Sequence, residues 1–395
     1  MRYSPPMDKR GSSSGKDNPS PHAATNAADA WIAERDRRIA ETARERAHAV
    51  TLWRRLQKTD RATWKETVAG DAEYHRMAFC EKLCDESVEL AEDDADAAQV
   101  LVELALDLVP EVSGDRHQIG AIQEYIWKHV ANVFRARGDL RKAQGAFEKA
   151  AEYFLQGISG SQPTLIQRDR LALLDSALHR DRGDLVEAGR LLDHATSLSD
   201  KGTAAMIFLE RARLQRQLTH PDKALDTLSL ANRRAEGGEP LLLLRLAIEE
   251  ADILCDLRRF ADVKKLPAAL RKAAESHPLE RARLLCLEGR ILAGRGDLDG
   301  AVAALEKARK AQHPRAAAGL ALLYLEIASL YAGKGRMAEL KSLAEEALEL
   351  VASPGLGREP AATLKMFGRL AAQDKMTPER VQSFVSDWLR FTIRR

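Results

Sequence analysis

The stretch Trp127 to Ala150, WKHVANVFRARGDLRKAQGAFEKA, decides the fold. Trp127, Val130, Ala131 and Phe134 fall three and four apart, the spacing of one helix face. A Gly138-Asp139-Leu140 break follows, and Ala143, Phe147 and Ala150 resume the same spacing. The expected unit is a helix, a tight turn and a second helix folded back on the first. One such hairpin cannot close a core by itself, so copies must stack.

The second half of the pattern recurs along the chain. RGDLVEAGRLLDHA carries Ala188, Leu192 and Ala195, and HPDKALDTLSLA carries Ala224, Leu228 and Ala231. RRFADVKKLPAAL offers a weaker version in Val263, Pro267 and Leu270. RGDLDGAVAALEKA supplies Ala301, Leu305 and Ala308, and KGRMAELKSLAEEA supplies Leu340, Ala344 and Ala347. Twelve positions before each anchor stand Ala131, Ser176, Ala212, Ala251, Gly289 and Ala328, all small. A bulky side chain there would push apart two closely crossing helices. An earlier hairpin is expected from Tyr74 to Pro110, with Ala98, Val102 and Ala105 on its second helix.

The W-x2-V-A-x2-F, turn, A-x3-F-x2-A order closely resembles the tetratricopeptide repeat. The resemblance implies an all-α fold, a right-handed α-solenoid of about seven helical hairpins spanning residues 71–352. Residues 29–70 are expected to add N-terminal helices. Residues 353–395 are expected to cap the open end, with Thr377 as N-cap before Pro378. Residues 1–28, rich in Pro, Ser, Gly and Asn, are expected to be disordered. A narrower likeness lies in TLWRRLQ followed by FCEKLCDESVELAEDDADAA, which resembles the entry to repeat arrays of bacterial helix-turn-helix regulators. No helix-turn-helix pattern is visible upstream, so a DNA-binding role is not carried over.

Composition agrees with helices. Aromatics are 5% and charged residues 30% of the chain, and Ala, Leu, Arg and Glu, all good helix formers, dominate. A net charge of +2 points to neither nucleic acid nor membrane. The N-terminus lacks the apolar stretch of a signal peptide, and no run approaches the roughly 18 apolar residues of a membrane span. With four cysteines and no disulfide framework, a cytoplasmic location is expected.

Cys80 and Cys84, one helical turn apart with His75 upstream, raise the question of a metal or redox site. No second Cys/His pair follows at zinc-site spacing, so buried packing is the expected role. Cys255 and Cys286 are read the same way. No HExxH, GxSxG or GxxxxGK[S/T] motif occurs, and the glycines of the GDL turns serve to leave a helix. Catalytic residues, metal ligands and cofactors are therefore all expected to be absent.

The resemblance places the ligand groove on the first helices of the hairpins. Those positions carry Lys128, Arg135, Arg170, Arg180, Arg213, Arg216, Arg245, Arg283 and Arg290, against Asp181, Asp252 and Asp256. Lys128 and Asn132 also match the first half of the carboxylate clamp of chaperone-binding members. Leu174, Met206 and Glu210 stand where the rest of that clamp would be, so a chaperone-tail receptor is not expected. The implied function is a non-enzymatic scaffold whose basic concave groove binds a protein or peptide partner, expected to be acidic. One alternative is a regulatory sensor subunit of a bacterial transcription or defence complex. Another is a nucleic-acid binder using the basic groove, which lacks the interleaved aromatics of a single-strand platform. A third possibility for the arginines is simple pairing with acids such as Glu210, Glu249, Glu250 and Glu288.

Overall fold

The computed structural model describes residues 21–91, 93–157, 167–199, 203–311, 317–352, 356 and 358–393. Among these the regular structure is helical throughout. Helix α1 (Pro21–Leu56) and the short α2 (Trp64–Gly70) precede the array. Residues 1–20 of the lead expected to be disordered lie outside the described residues, while residues 21–28 belong to α1.

Seven hairpins follow. They are α3 (Met77–Ala91) with α4 (Ala95–Leu108), α5 (Arg116–Ala136) with α6 (Leu140–Gly157), and α7 (Arg168–Asp181) with α8 (Leu185–Leu198). Next come α9 (Ala204–Gln217) with α10 (Pro221–Arg234) and α11 (Pro240–Asp256) with α12 (Ala268–Glu275). The last two are α13 (Pro278–Gly294) with α14 (Leu298–Ala311) and α15 (Ala317–Gly333) with α16 (Met337–Leu348). Helices α17 (Arg358–Ala372) and α18 (Pro378–Ile393) close the array. Each hairpin packs on the next, giving an all-α solenoid. The loop QGISGSQPT between α6 and α7 lies outside the described residues from position 158 on.

Local chemistry explains the hairpins. Gly138, Gly183, Gly296 and Gly335 adopt positive φ just after a first helix, the conformation that ends helices with little cost only in glycine. The following residue reaches back to a helix carbonyl, as Asp139 N–H does to Phe134 O at 2.9 Å and Asp184 N–H to His179 O at 2.9 Å. The anchors Ala143, Ala188, Ala224 and Ala301 are fully buried. Ser176, at a small position, donates from Oγ to the carbonyl of its own anchor Ala188 at 2.9 Å. At Gly289 even a Cβ would meet Leu305 at 2.6 Å, so the hairpin admits no larger residue without a shift.

The fifth hairpin departs from the pattern. Val263 was expected to anchor a second helix, but α12 starts only after Pro267, and Val263 sits in the connecting segment. Proline cannot donate to a preceding turn, and its ring clashes with the carbonyl four residues back. Helix α12 is therefore half the usual length. Its shortness matters for the groove.

The ends are covered as the caps require. Trp53 of α1 meets Trp64 of α2 edge-on at 5.4 Å, and both are buried. Helix α18 packs on α15, burying Val381 and Trp388, and Arg380 N–H donates to the Thr377 hydroxyl at 3.3 Å. Cys80 and Cys84 have no exposed surface; the Cys80 thiol faces Ala105 O at 3.9 Å, while His75 Nε2 contacts Val68 O. Burial pushes the Cys80 thiol up to about 12 and Cys84 well above its ordinary value. These thiols are packing groups, far from the thiolate form that metals and oxidants need.

Candidate functional site

The first helices α3, α5, α7, α9, α11 and α13 present their inward faces to one groove, and ion pairs run along it from hairpin to hairpin. Lys128 of α5 bonds Asp175 of α7 at 2.8 Å and lies 3.3 Å from Glu124. Arg135 reaches Asp181 of α7 at 2.7 Å and Asn132 Oδ1 at 3.0 Å. Arg170 of α7 turns back to Asp85 of α3 at 2.9 Å. Arg180 is shared between Asp181 and Glu210 of α9. Arg213 spans Glu210 at 2.5 Å and Glu249 of α11 at 3.2 Å. Arg216 meets Glu249 at 3.2 Å and Asp256 at 2.6 Å. From α13, Arg290 contacts Asp252 at 2.5 Å and Asp256 at 2.7 Å. Arg245 and Arg283 both hold Glu280, at 2.7 and 3.3 Å.

All ten residues read from the sequence as groove-forming are thus brought to one surface, but not as a free basic wall. Every cation among them has a carboxylate partner, and most pairs join successive first helices. The expected basic excess arose from reading only selected positions. Some of the neutralising acids sit one turn away on the same helix, as Glu124 does from Lys128, Glu210 from Arg213 and Glu280 from Arg283. For these three, the three- and four-residue spacing was the signal in the sequence. Asp85, Asp175 and the buried Tyr125, whose hydroxyl donates to Asp85 at 2.7 Å, gave no such local sign.

The pairs are largely desolvated, so their charges act strongly on one another. Glu249 is 3% exposed at its side chain and Arg180 16%. Burial alone would raise the Glu210 carboxyl, yet Arg180 and Arg213 outweigh it and hold the group down to about 2. Asp175 goes the other way: burial, only partly offset by Lys128, raises it.

Next to this ladder lies a cavity of about 890 Å³, open to solvent on one side. Lys82, Asp85, Glu86, Val88 and Glu89 of α3 form one wall, and the start of α11 with α12 and His277 forms the other. His129, Arg170, Leu173, Leu174 and Met206 line the remainder. The shortened α12 contributes Ala269, Lys272 and Ala273 to this wall. Leu174 and Met206, the two apolar departures from the carboxylate clamp, now have a place: both face the cavity. The walls are tied together where Leu279 N–H, in the first turn of α13, donates to Asp93 Oδ1 at 2.6 Å. His277 Nδ1 stands 3.6 Å from the other oxygen of the same carboxylate.

No helix among the described residues is long and apolar enough to cross a membrane. No protein-family model matches the sequence, and no curated protein matches it. Solved structures do resemble it. A Rap protein complexed with Competence and Sporulation Factor matches with a TM-score of 0.55 at 12% identity, over 80% of this chain and 87% of that one. Aspartyl phosphate phosphatase F from Bacillus subtilis gives a TM-score of 0.46 at 15% identity, over 79% of this chain and 83% of that one. PilF of Pseudomonas aeruginosa gives 0.33 at 17% identity, over 58% of this chain and 92% of that one. The hairpin geometry, the recurring turn and the first of these likenesses agree: the chain has the fold of tetratricopeptide-type repeat proteins.

Proposed function

We propose that the protein is a non-enzymatic binding scaffold that takes a protein or peptide segment into the cavity between α3 and α12. The observation that carries this reading is the cavity itself. It draws side chains from five successive hairpins and from the segment leading into the sixth, mixes apolar and charged groups, and falls in the range of about 300–1,000 Å³ typical of ligand sites. The Rap protein neighbour was solved with Competence and Sporulation Factor bound, which fits a binding role for this architecture. An acidic partner, expected from the arginines, would have to exchange with the carboxylates that already neutralise them. The nucleic-acid alternative rested on the same cations and loses the same support.

A regulatory role is favoured by one contact. The Asp93–Leu279 bond joins segments 186 residues apart and closes the ring around the cavity, so an occupant would bear on how tightly the array curls. Affinity capture from the native host tests the binding reading, using wild type beside a Leu174→Trp, Met206→Trp variant that fills the cavity. A partner retained by wild type and lost by the filled variant supports it. A partner held equally by both places the binding surface elsewhere.

A further inference from the structure

At the floor of the cavity one histidine is left with an open acceptor. Around it the charges are matched: Asp85 accepts from the Tyr125 hydroxyl at 2.7 Å and from Arg170 at 2.9 Å. His129 packs against the Tyr125 ring, with 4.3 Å between centroids, and is 1% exposed. Its Nδ1 lies 2.9 Å from the Tyr125 carbonyl oxygen, which can only accept, so Nδ1 carries the proton. The neutral ring then holds a lone pair on Nε2, turned away from that bond. Among the described residues nothing donates to this lone pair. Burial, aided by the charges of Arg170 and Lys128, holds His129 down to about 4, so the lone pair is present at neutral pH.

Arg170 supplies a complement. Its Nε is buried without an acceptor, and the residue lines the same cavity. An unmatched acceptor on α5 and an unmatched donor on α7 thus share one patch, where folded chains rarely leave either. A cation would meet the Arg170 guanidinium there, and an anion would meet the His129 lone pair and the Asp85 carboxylate. A neutral group that donates and accepts fits both. A carboxamide does so from two separate atoms, which suits sites on two different helices. Val88, Leu173, Leu174 and Met206 surround the patch with apolar surface.

Resting on the binding reading above, we infer that His129 and Arg170 form a recognition subsite for a carboxamide side chain, asparagine or glutamine, carried by an otherwise apolar peptide segment. The amide nitrogen donates to His129 Nε2, and the amide oxygen turns toward Arg170 Nε. Apolar neighbours in the peptide cover Val88, Leu174 and Met206. The recognised group is uncharged, unlike the acidic partner expected from the sequence.

The test uses three blocked, fluorescein-labelled pentapeptides, Leu-Leu-Asn-Leu-Leu and its versions with Asp or Ala at the centre. Each is titrated against the full chain by fluorescence anisotropy. Wild type is expected to favour the asparagine peptide over both others by about fivefold or more, the scale of one neutral hydrogen bond. His129→Phe keeps a ring and loses the acceptor, so it should bind the asparagine and alanine peptides alike. His129→Gln returns an acceptor oxygen and should recover part of the preference. The preference is a ratio within one variant, so a general loss of stability does not imitate its loss, and circular dichroism checks helicity. Equal binding of the asparagine and alanine peptides by wild type, or tighter binding of the aspartate peptide, overturns the carboxamide inference while the cavity reading stands. A preference that survives His129→Phe overturns it as well. If no peptide binds wild type, the binding reading falls with it.

Discussion

Asp93, in the turn between α3 and α4, accepts a hydrogen bond from the backbone N–H of Leu279 at 2.6 Å and so caps a helix five hairpins away. Helix α13 has no cap of its own: His277 makes no side-chain cap bond, and Pro278 has no N–H. A carboxylate at this end satisfies an orphan donor and complements the helix dipole. Asp93→Ala is expected to lower stability by about 0.5–2 kcal/mol, the usual worth of an N-cap. Because the bond closes a ring, it should also widen the distance between spin labels placed on the α3–α4 turn and on α12. An unchanged label distance would show that packing alone holds the ring shut.

A second prediction concerns the turn of the fourth hairpin. Thr219 adopts φ 60°, the left-handed conformation that Gly138, Gly183, Gly296 and Gly335 take in other hairpins. A β-branched residue is strained there by about 1–2 kcal/mol, while glycine loses somewhat more backbone entropy on folding. Thr219→Gly should therefore raise stability by about 0.5–1 kcal/mol in urea unfolding, the difference between those two effects. No gain would mean that the backbone bears no strain at this position.

Thr219 also marks how far the sequence could be read. The left-handed residue lies five positions before each anchor, at 138, 183, 219, 258, 296 and 335. Four of these are glycine and visible in GDL-type turns. Thr219 and Arg258 take the same conformation, and only the register of the repeat reveals them. The small positions were legible for a physical reason, since Ser176 and Gly289 touch the very hairpin partners their spacing implied. The groove was half legible. Its cations could be placed from the repeat, but their state depends on acids contributed by neighbouring hairpins, as with Arg135 and Asp181. The cavity was not legible, because it arises from curvature accumulated over five hairpins and from a helix shortened by Pro267.

The ladder makes a third prediction. Arginines standing free in solvent would tolerate reversal with melting nearly unchanged. In the structure they lie between Glu210, Glu249 and Asp256, and Glu249 is almost wholly buried. Arg213→Glu with Arg216→Glu would put like charges into a desolvated cluster. Breaking such a pair from one side costs about 3–5 kcal/mol. The double variant should unfold at markedly lower urea, and Arg216→Lys should fall between it and wild type. A melt within about 0.5 kcal/mol of wild type, the usual surface effect, would mean that these pairs are not part of the folded framework.

The last prediction turns on Glu326 of α15, which sits within the field of Arg290 and Asp252. Burial lifts its carboxyl from 4.5 to about 7; Arg290 opposes the rise, and Asp252 adds to it. A raised carboxyl means that the folded chain keeps a proton that the unfolded chain has released. Between about 4.5 and 7 the folded state therefore binds more protons, so stability falls as pH rises through that window and levels off above it. Glu326→Gln removes the titrating group but keeps its shape. Wild type and variant should unfold alike at about pH 4, where both side chains are neutral in both states. The variant should then gain steadily up to about pH 7 and keep a constant advantage beyond. The acids held low by arginines, Glu210 among them, are common to both proteins and cancel in the difference. Urea unfolding of the pair at about pH 4, 6 and 8 measures that difference directly. A difference that does not change with pH would show that Glu326 ionises as an ordinary glutamate and is solvated in the groove.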